Sequence, residues 1–344
     1  MRENNLFNYA TKELSQDAIL CWLINWVNSK EDLNEYKLLQ SKAKFLLNYI
    51  LKGKKLEVED FYVKVIKQYK NIDVYVELTN KKNDKIKYAI IIEDKKFTTE
   101  NDNQISKYTE KIIKATGLNR ENIITVYYKP YDEIYNIQAN VIIYREEMLK
   151  NIFNDDIEND IYMDYKEYLE NIENICVNIK NIPVRKWKEN KELCYKFASE
   201  YNKNIVEDRR KVSITIRGSS TYIDWYKIKT TKEYAGINYI YLNYDLNNFK
   251  IIANVEKYDE ESRKKLEVLI NKISNELGLK NIKNTTRTGE KTINLAKYKI
   301  KTNITYSEFL QEIEKMEKLM EEIKAKVSMQ KEMKQWYFLE IKLL

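Results

Sequence analysis

An apolar run followed at once by three charged residues is the feature that most constrains how this chain folds. The segment Tyr88–Asp94 contains Ala89 and three consecutive isoleucines, which is typical of a central strand that is covered on both faces. Glu93, Asp94 and Lys95 come at its end. Because such a strand needs helices on both sides of its sheet, the sequence predicts an α/β fold.

The strand that precedes this run is expected to pair with it as an antiparallel hairpin around a polar turn. Ile72–Leu78 alternates apolar and polar residues, as in a strand with two different faces. If Thr79 pairs with Lys87, then Asp73 lies opposite Glu93 and on the same face. A slip of two residues would keep these faces, whereas a slip of one would separate the two carboxylates.

The rest of the first half alternates predicted helices and strands. Helices are predicted at 18–27, 38–51 and 101–115, strands at 56–66, 122–128 and 141–144, and helical sequence from 145 to about 180. Asp17 is expected in the first turn of the first helix, where the helix dipole favours a negative charge.

The chain is expected to divide into two domains, 1–180 and 181–344. Pro183 and the basic segment Arg185–Lys188 mark the boundary. The second domain is predicted to be α+β, with helices at 189–202, 260–277 and 306–327 and strands at 211–216, 221–229, 237–254 (a hairpin) and 292–300. It carries no assignable motif, and we expect it to bind the substrate, a protein partner or a second copy of the chain.

The 344 residues include no histidine, and this excludes several classes of catalytic site. Ser-His-Asp and Cys-His nucleophiles, histidine general bases and histidine-ligated metals are ruled out. The three cysteines lie far apart, so neither a disulfide framework nor a zinc ribbon is expected. Without a secretory signal or an apolar run long enough to span a membrane, the expected location is the cytoplasm. The net charge of +7 is compatible with a polyanionic partner.

The predicted hairpin brings Asp73, Glu93 and Lys95 together at one end of a buried strand pair. Two converging carboxylates repel each other unless a cation joins them. Oxygen ligands without histidine or cysteine suit hard cations such as Mg²⁺ or Mn²⁺. Such a site is suited to phosphodiester hydrolysis. The alternative is a surface cluster of ion pairs at the end of a strand.

Asp73, followed on the next strand by Glu93 and Lys95, resembles the signature of the PD-(D/E)XK nuclease superfamily. Ile72 occupies the position of the proline in that signature. The predicted order of helix, three strands, helix and strand is similar to the core of that family, and the resemblance covers roughly residues 10–145. It implies a restriction-endonuclease-like fold, in which a mixed central sheet is flanked by helices.

Two further features support the resemblance. The spacing of Gln104 and Tyr108 puts both on one helical face and resembles the QxxxY motif of the RecB-type branch, whose residues contact the phosphate or the water on the metal. Glu13 resembles the additional acidic residue that many members contribute from the first helix as a ligand to a second metal. The resemblance therefore extends to three elements of the predicted domain.

The resemblance also implies a role for each residue at the end of the central strand. Asp73 and Glu93 would bind Mg²⁺ or Mn²⁺, and the backbone carbonyl of Asp94 would be a further ligand. Lys95 would position the attacking water. The Asp94 side chain is expected to point to the opposite face.

Three activities remain open at the level of the sequence. The first is a RecB-type exonuclease acting on DNA, and the second is a sequence-specific endonuclease of the restriction type. The third is a non-catalytic protein on the same fold that binds nucleic acid or a partner. Four basic residues are candidates for contacts with nucleic acid: Lys67, Lys70, Arg185 and Lys186.

Overall fold

The fold is taken from a computed structural model that describes residues 5–9, 13–30, 33–97, 103–134, 137–217, 220–230, 234, 236–257, 259–279, 282–284 and 291–343. Within these ranges, side chains are described except at positions 8, 13, 217, 282–284 and 328–343. The chain divides into two units, Met1–Ile175 and Cys176–Leu344. The sequence predicts the boundary at 180/181, a few residues after this division.

The first unit alternates helices with the strands of one sheet. Its helices are α1 (Glu13–Asn25), α2 (Asn34–Leu51), α3 (Gln104–Thr116), α4 (Arg145–Asn151) and α5 (Asp160–Val177). Its strands are β1 (Phe61–Tyr69), β2 (Ile72–Asn80), β3 (Ile86–Asp94), β4 (Ile123–Lys129) and β5 (Val141–Tyr144). Each helix and strand predicted for this half of the chain has a counterpart.

Strand β3 is the central strand of a mixed five-stranded sheet in the order β1-β2-β3-β4-β5. β1, β2 and β3 are antiparallel neighbours, whereas β4 runs parallel to β3 and β5 parallel to β4. Every residue from Ala89 to Asp94 is buried. Ile90 and Ile92 belong to a larger core with α1, α2 and α5, while Ile91 packs with α3 on the other face. The prediction of an α/β unit around a central buried strand is confirmed.

The pairing of β2 with β3 follows the predicted register over most of its length. From Val74 to Leu78, each residue has the expected partner. Thr79 pairs with Ile86, so the predicted pair of Thr79 and Lys87 is wrong, because a β-bulge after Leu78 shifts the register by one residue. The bulge lies at the turn, and the predicted register holds toward the end of the hairpin that carries the acidic residues.

Two of the differences from the prediction in the first unit have local causes. β1 begins at Phe61 instead of residue 56, because Val58–Asp60 form a short 3₁₀ turn. The helical sequence predicted from 145 to 180 is split into α4 and α5. Asn159 accepts a hydrogen bond at 3.1 Å from the Tyr162 amide, and this local bond fits the start of a new helix.

The second unit is a helix-backed antiparallel sheet, in agreement with the α+β prediction. Its helices are α6 (Lys191–Lys203), α7 (Glu260–Glu276) and α8 (Tyr306–Leu343). Its strands are β6 (Ser213–Arg217), β7 (Ser220–Lys229), β8 (Ile237–Tyr244), β9 (Asn248–Val255), β10 (Ile282–Asn284) and β11 (Thr292–Lys299). The sheet order is β10-β11-β9-β8-β7-β6, with every pair antiparallel. The three-residue β10 is too short to show a periodic pattern in the sequence.

An aromatic cluster joins α8 to the sheet of the second unit. Phe309 of α8 stacks on Phe249 with 5.7 Å between ring centroids and packs against Tyr244 at 4.8 Å. Trp225 packs edge-on against Phe249 at 5.6 Å. Phe309, Ile313, Met316 and Met320, which recur every three or four residues along α8, are all buried, so this apolar face of the helix packs on its own unit. Among the residues that the structure describes, no helix combines the length and apolar character needed to cross a bilayer.

Gly236→Ala is expected to destabilise the second unit. The φ angle of Gly236 is +78°, and an added Cβ would lie 2.1 Å from the backbone oxygen of Lys257. Strain and clash together should reduce the free energy of unfolding by at least about 1 kcal/mol, measured by urea denaturation. Gly278→Ala is the matched control, since Gly278 has a φ of +69° and no atom within 4 Å of the added Cβ. Equal losses in the two variants would contradict the clash.

Candidate active site

The candidate site lies where β3 ends beside the beginning of β2. The Asp94 amide donates a hydrogen bond to Oδ2 of Asp73 at 2.9 Å, which connects the two strands at this point. The Lys95 amide donates to the backbone oxygen of Tyr128 at 3.0 Å and thereby continues the parallel pairing with β4 by one residue. The backbone at the end of β3 is therefore held from both neighbouring strands.

Glu93 is the most buried member of the site. Its exposure is 0%, and its Oε1 atom forms an ion pair with the ammonium of Lys95, itself only 8% exposed. Among the described residues, no group donates a hydrogen bond to Oε2 of Glu93. A buried carboxylate oxygen without a donor is costly, so this atom is suited to a cation.

Burial and the neighbouring Asp73 carboxylate both favour the protonated form of Glu93. Burial and the negative charge of Asp73 raise the pKa of Glu93 from 4.5 to about 8, although the charge of Lys95 acts in the opposite direction. Two adjacent acids in a low-dielectric environment cannot both ionise easily. The pair needs either a shared proton or a cation, as the sequence analysis predicts for converging carboxylates.

The two residues of the QxxxY segment lie together on α3, beside the acidic pair. The side-chain amide of Gln104 donates to the hydroxyl of Tyr108 at 2.7 Å. Burial is the largest cause that raises the pKa of Tyr108, and the negative charges of Glu93 and Asp73 raise it further. The Tyr108 hydroxyl is therefore near the carboxylates and remains protonated. The structure brings together all five residues predicted as catalytic.

The side chain of Asp94 points away from this group, toward α1, as the alternation of the strand predicts. Its Oδ1 atom accepts a hydrogen bond from the side-chain amide of Gln16 at 2.9 Å, and both residues are buried. The role of the Asp94 carbonyl as a metal ligand stays a prediction.

Asp17 is a site residue that the sequence analysis missed. Helix α1 begins at Glu13, so Asp17 lies beyond the first turn and is 1% exposed. Burial and the negative charge of Asp73 raise its pKa to about 6, while a hydrogen bond from the Gln68 side chain at 2.8 Å lowers it. The spacing of four between Glu13 and Asp17 was the available signal, because it places them on one helical face. The Glu13 side chain lies outside the described part of the chain.

The turn between β1 and β2 forms one rim of the site. Lys67 is exposed and donates to the Leu14 carbonyl of α1 at 3.2 Å. Lys70 is also exposed, and its own carbonyl accepts a hydrogen bond at 3.4 Å from Lys111 of α3. Lys111 in turn lies 4.9 Å from the Tyr108 ring centroid. The charge of Lys67 therefore acts on Asp17 at the site, and Lys70 lies in the adjoining turn with its ammonium 5.5 Å from the Tyr69 ring centroid.

The other two predicted basic residues belong to the second unit. Arg185 and Lys186 are exposed on the 3₁₀ helix Val184–Lys188. Their contact with nucleic acid stays a prediction.

A buried ion pair at the end of β4 is a second feature that the sequence analysis missed. Lys129 is 0% exposed and lies 3.0 Å from Oε2 of Glu133, which also accepts a hydrogen bond at 2.6 Å from the Tyr127 hydroxyl. Tyr127 pairs with Glu93 across the parallel strands, so the two side chains share a face. The predicted order of strand, helix and strand suits a parallel pair, but the sequence analysis assigned no role to Tyr127 or Lys129.

The donor set fits a hard divalent cation. Asp73 and Glu93 supply carboxylate oxygens, and Mg²⁺ is commonly bound by one or two carboxylates while water completes its coordination. Among the described side chains, no three or more acids or cysteines form a preformed metal cluster. The candidate is therefore a pair of carboxylates in contact, and Lys95 and Tyr108 lie beside it.

No family model, curated protein or solved structure matches this chain. The functional argument therefore depends on the geometry and chemistry of this site.

Glu93→Gln is expected to flatten the dependence of stability on pH in the absence of divalent cations. The folded protein retains the Glu93 proton up to about pH 8, while the unfolded chain releases it near 4.5. Stability should therefore fall as the pH rises through this window. Glutamine does not titrate, so the variant should lose this part of the decline. Unfolding free energies from urea titrations across the window measure it, and identical slopes for both proteins would contradict the assignment.

Proposed function

We propose that this chain is a metal-dependent nuclease that hydrolyses phosphodiester bonds, with DNA as the expected substrate. The observation that supports this most strongly is the buried Glu93 carboxylate, which pairs with Lys95 and adjoins Asp73. A site with these groups and no histidine is suited to hydrolysis assisted by a hard cation. The proposal includes a restriction-endonuclease-like fold of the PD-(D/E)XK type for the first unit.

Asp73 and Glu93 are the residues that would hold Mg²⁺ or Mn²⁺. Such a cation, when bound, polarises the phosphoryl group and makes water a better nucleophile near neutral pH. Lys95 would orient the attacking water, because its ammonium is held beside Glu93 at the end of a fixed backbone. A positioned nucleophile contributes to the rate through proximity and orientation.

The hydrogen bond between Gln104 and Tyr108 gives the tyrosine a defined role. Since the Tyr108 oxygen accepts from the Gln104 amide, its own proton is available for donation toward the site. The pKa of the hydroxyl is raised, so this proton is retained at neutral pH. We assign Tyr108 to a hydrogen bond with a non-bridging phosphate oxygen, where added negative charge is stabilised.

Asp73→Ala and Lys95→Ala are expected to abolish hydrolysis of DNA. Each should reduce the rate with Mg²⁺ or Mn²⁺ at least about 100-fold, because Asp73 would hold the cation and Lys95 would orient the attacking water. Labelled single-stranded, linear double-stranded and closed circular DNA are the substrates. Glu77→Gln is the matched control, since Glu77 lies on the same face of β2 but pairs with the exposed Lys64 at 3.4 Å.

The products of the same assay distinguish the remaining functions. Progressive shortening from ends would favour an exonuclease, and discrete fragments from closed circles would favour a sequence-specific endonuclease. Equal hydrolysis by wild type and the two variants would refute the site assignment. Tight binding of DNA without hydrolysis, with any of the divalent ions, would favour a binding protein in place of an enzyme.

Lys70→Gln is expected to weaken DNA binding by the same factor for all DNA sequences. A lysine that neutralises one phosphate makes the affinity for DNA depend more steeply on salt. Its loss should reduce the magnitude of the slope of log affinity against log salt concentration by about 1. Fluorescence anisotropy at several salt concentrations, with Ca²⁺ in place of Mg²⁺, measures this slope. Lys82→Gln is the control, because Lys82 is exposed in the turn at the opposite end of β2. An unchanged slope for Lys70→Gln would remove this turn from the DNA-binding surface.

A further inference from the structure

The backbone of Gln68 is unusual for its position near the end of β1. Its φ angle is +57°, in the left-handed region that residues with side chains rarely adopt. Lys70 and Asn71 also have positive φ angles, 53° and 69°, but they form the two-residue turn of the hairpin, where such angles are required. Gln68 precedes this turn, and the turn does not require a positive φ angle at its position. Its strained conformation therefore needs another explanation.

The left-handed conformation interrupts the strand at one step. Lys67 pairs with Val74 and Tyr69 pairs with Ile72, so Gln68 lies in register opposite Asp73 without forming a pair with it. In a regular strand, residues opposite each other share a face. The Gln68 amide instead reaches Asp17 on α1, the helix that packs on the other face of the sheet. The strained angle is associated with this redirected side chain.

The contact that results is specific to one atom of a buried carboxylate. Gln68 donates to Oδ2 of Asp17 at 2.8 Å, and Asp17 is 1% exposed. Within the described part of the chain, the other oxygen, Oδ1, has no hydrogen-bond donor. The charge of Asp17 interacts with that of Asp73. One oxygen is therefore held by Gln68, while the carboxyl group as a whole interacts with the charge of Asp73 and with the side chain of Asp94.

We propose that Gln68 is a positioning residue that orients Asp17, so that Oδ1 of Asp17 accepts a hydrogen bond from a water on the cation bound at Asp73 and Glu93. This inference rests on the proposed function. In this role Asp17 acts through water, without direct coordination of the cation. Groups that orient a metal and its waters in this way change metal affinity by about 10- to 100-fold when they are removed.

Gln68→Gly tests the proposal because it removes the side chain that contacts Asp17 without adding backbone strain at this position. Glycine adopts a positive φ angle without penalty, which offsets the loss of the hydrogen bond to Asp17, so the variant should remain folded with a melting temperature close to that of wild type. Its dissociation constant for Mn²⁺, measured by calorimetric titration of the full chain, should nevertheless increase at least about tenfold. Asn71→Gly is the matched control: it replaces an exposed left-handed residue of the same turn and should leave Mn²⁺ affinity unchanged.

A double-mutant comparison shows whether Gln68 acts through Asp17. Asp17→Asn should weaken Mn²⁺ binding by a similar factor, and the double variant should bind no more weakly than Asp17→Asn alone. Additive losses would overturn the proposal, as would wild-type affinity in Gln68→Gly. In either case the wild-type chain would still bind Mn²⁺ and hydrolyse DNA, so the proposed function would stand. A wild-type chain that neither binds Mn²⁺ nor hydrolyses DNA would refute both.

Discussion

The burial of an acidic side chain at the end of β3 is the constraint on which the site depends. Glu93 has no exposed surface, and the nearest charges are Lys95, which favours its ionisation, and Asp73, which opposes it. The apolar run that precedes Glu93 fixes this location, because β3 is central and both of its faces are covered. The same packing that stabilises the sheet therefore makes the carboxylate a strong ligand for any cation that can replace its proton.

The directions of the strands determine which groups meet Glu93. The antiparallel β2 brings its first residues to this edge, while the parallel β4 ends at the same edge and contributes Lys129. Two helices complete the surroundings from opposite faces, α1 with Asp17 and α3 with Tyr108. The site is thus assembled from five segments, of which only the β2–β3 hairpin is local in sequence.

This difference between local and distant contacts explains what the sequence could predict. The alternation of apolar and polar residues along one hairpin sufficed to place Asp73 near Glu93. The bulge that shifts the predicted pairing at Thr79 lies at the turn, so it leaves the register at the acidic end of the hairpin unchanged. Asp17 and Lys129 were missed because their placement depends on how α1 packs on the sheet and on a parallel pairing across a helix. The direction of Gln68 depends on a single left-handed φ angle, which no periodicity reveals.

The crossover from β3 to β4 through α3 has a consequence for handedness. Connections between parallel neighbouring strands are almost always right-handed, a preference that originates in the chirality of L-amino acids. That preference decides which face of the sheet α3 covers. Because side chains along β3 point alternately to the two faces, only one of the two neighbouring acids can face this helix. Glu93 is near Tyr108, whereas Asp94 contacts Gln16 of α1. Insertion of one residue into β3 would exchange the two acids, so the choice of Glu93 follows from the handedness of the chain.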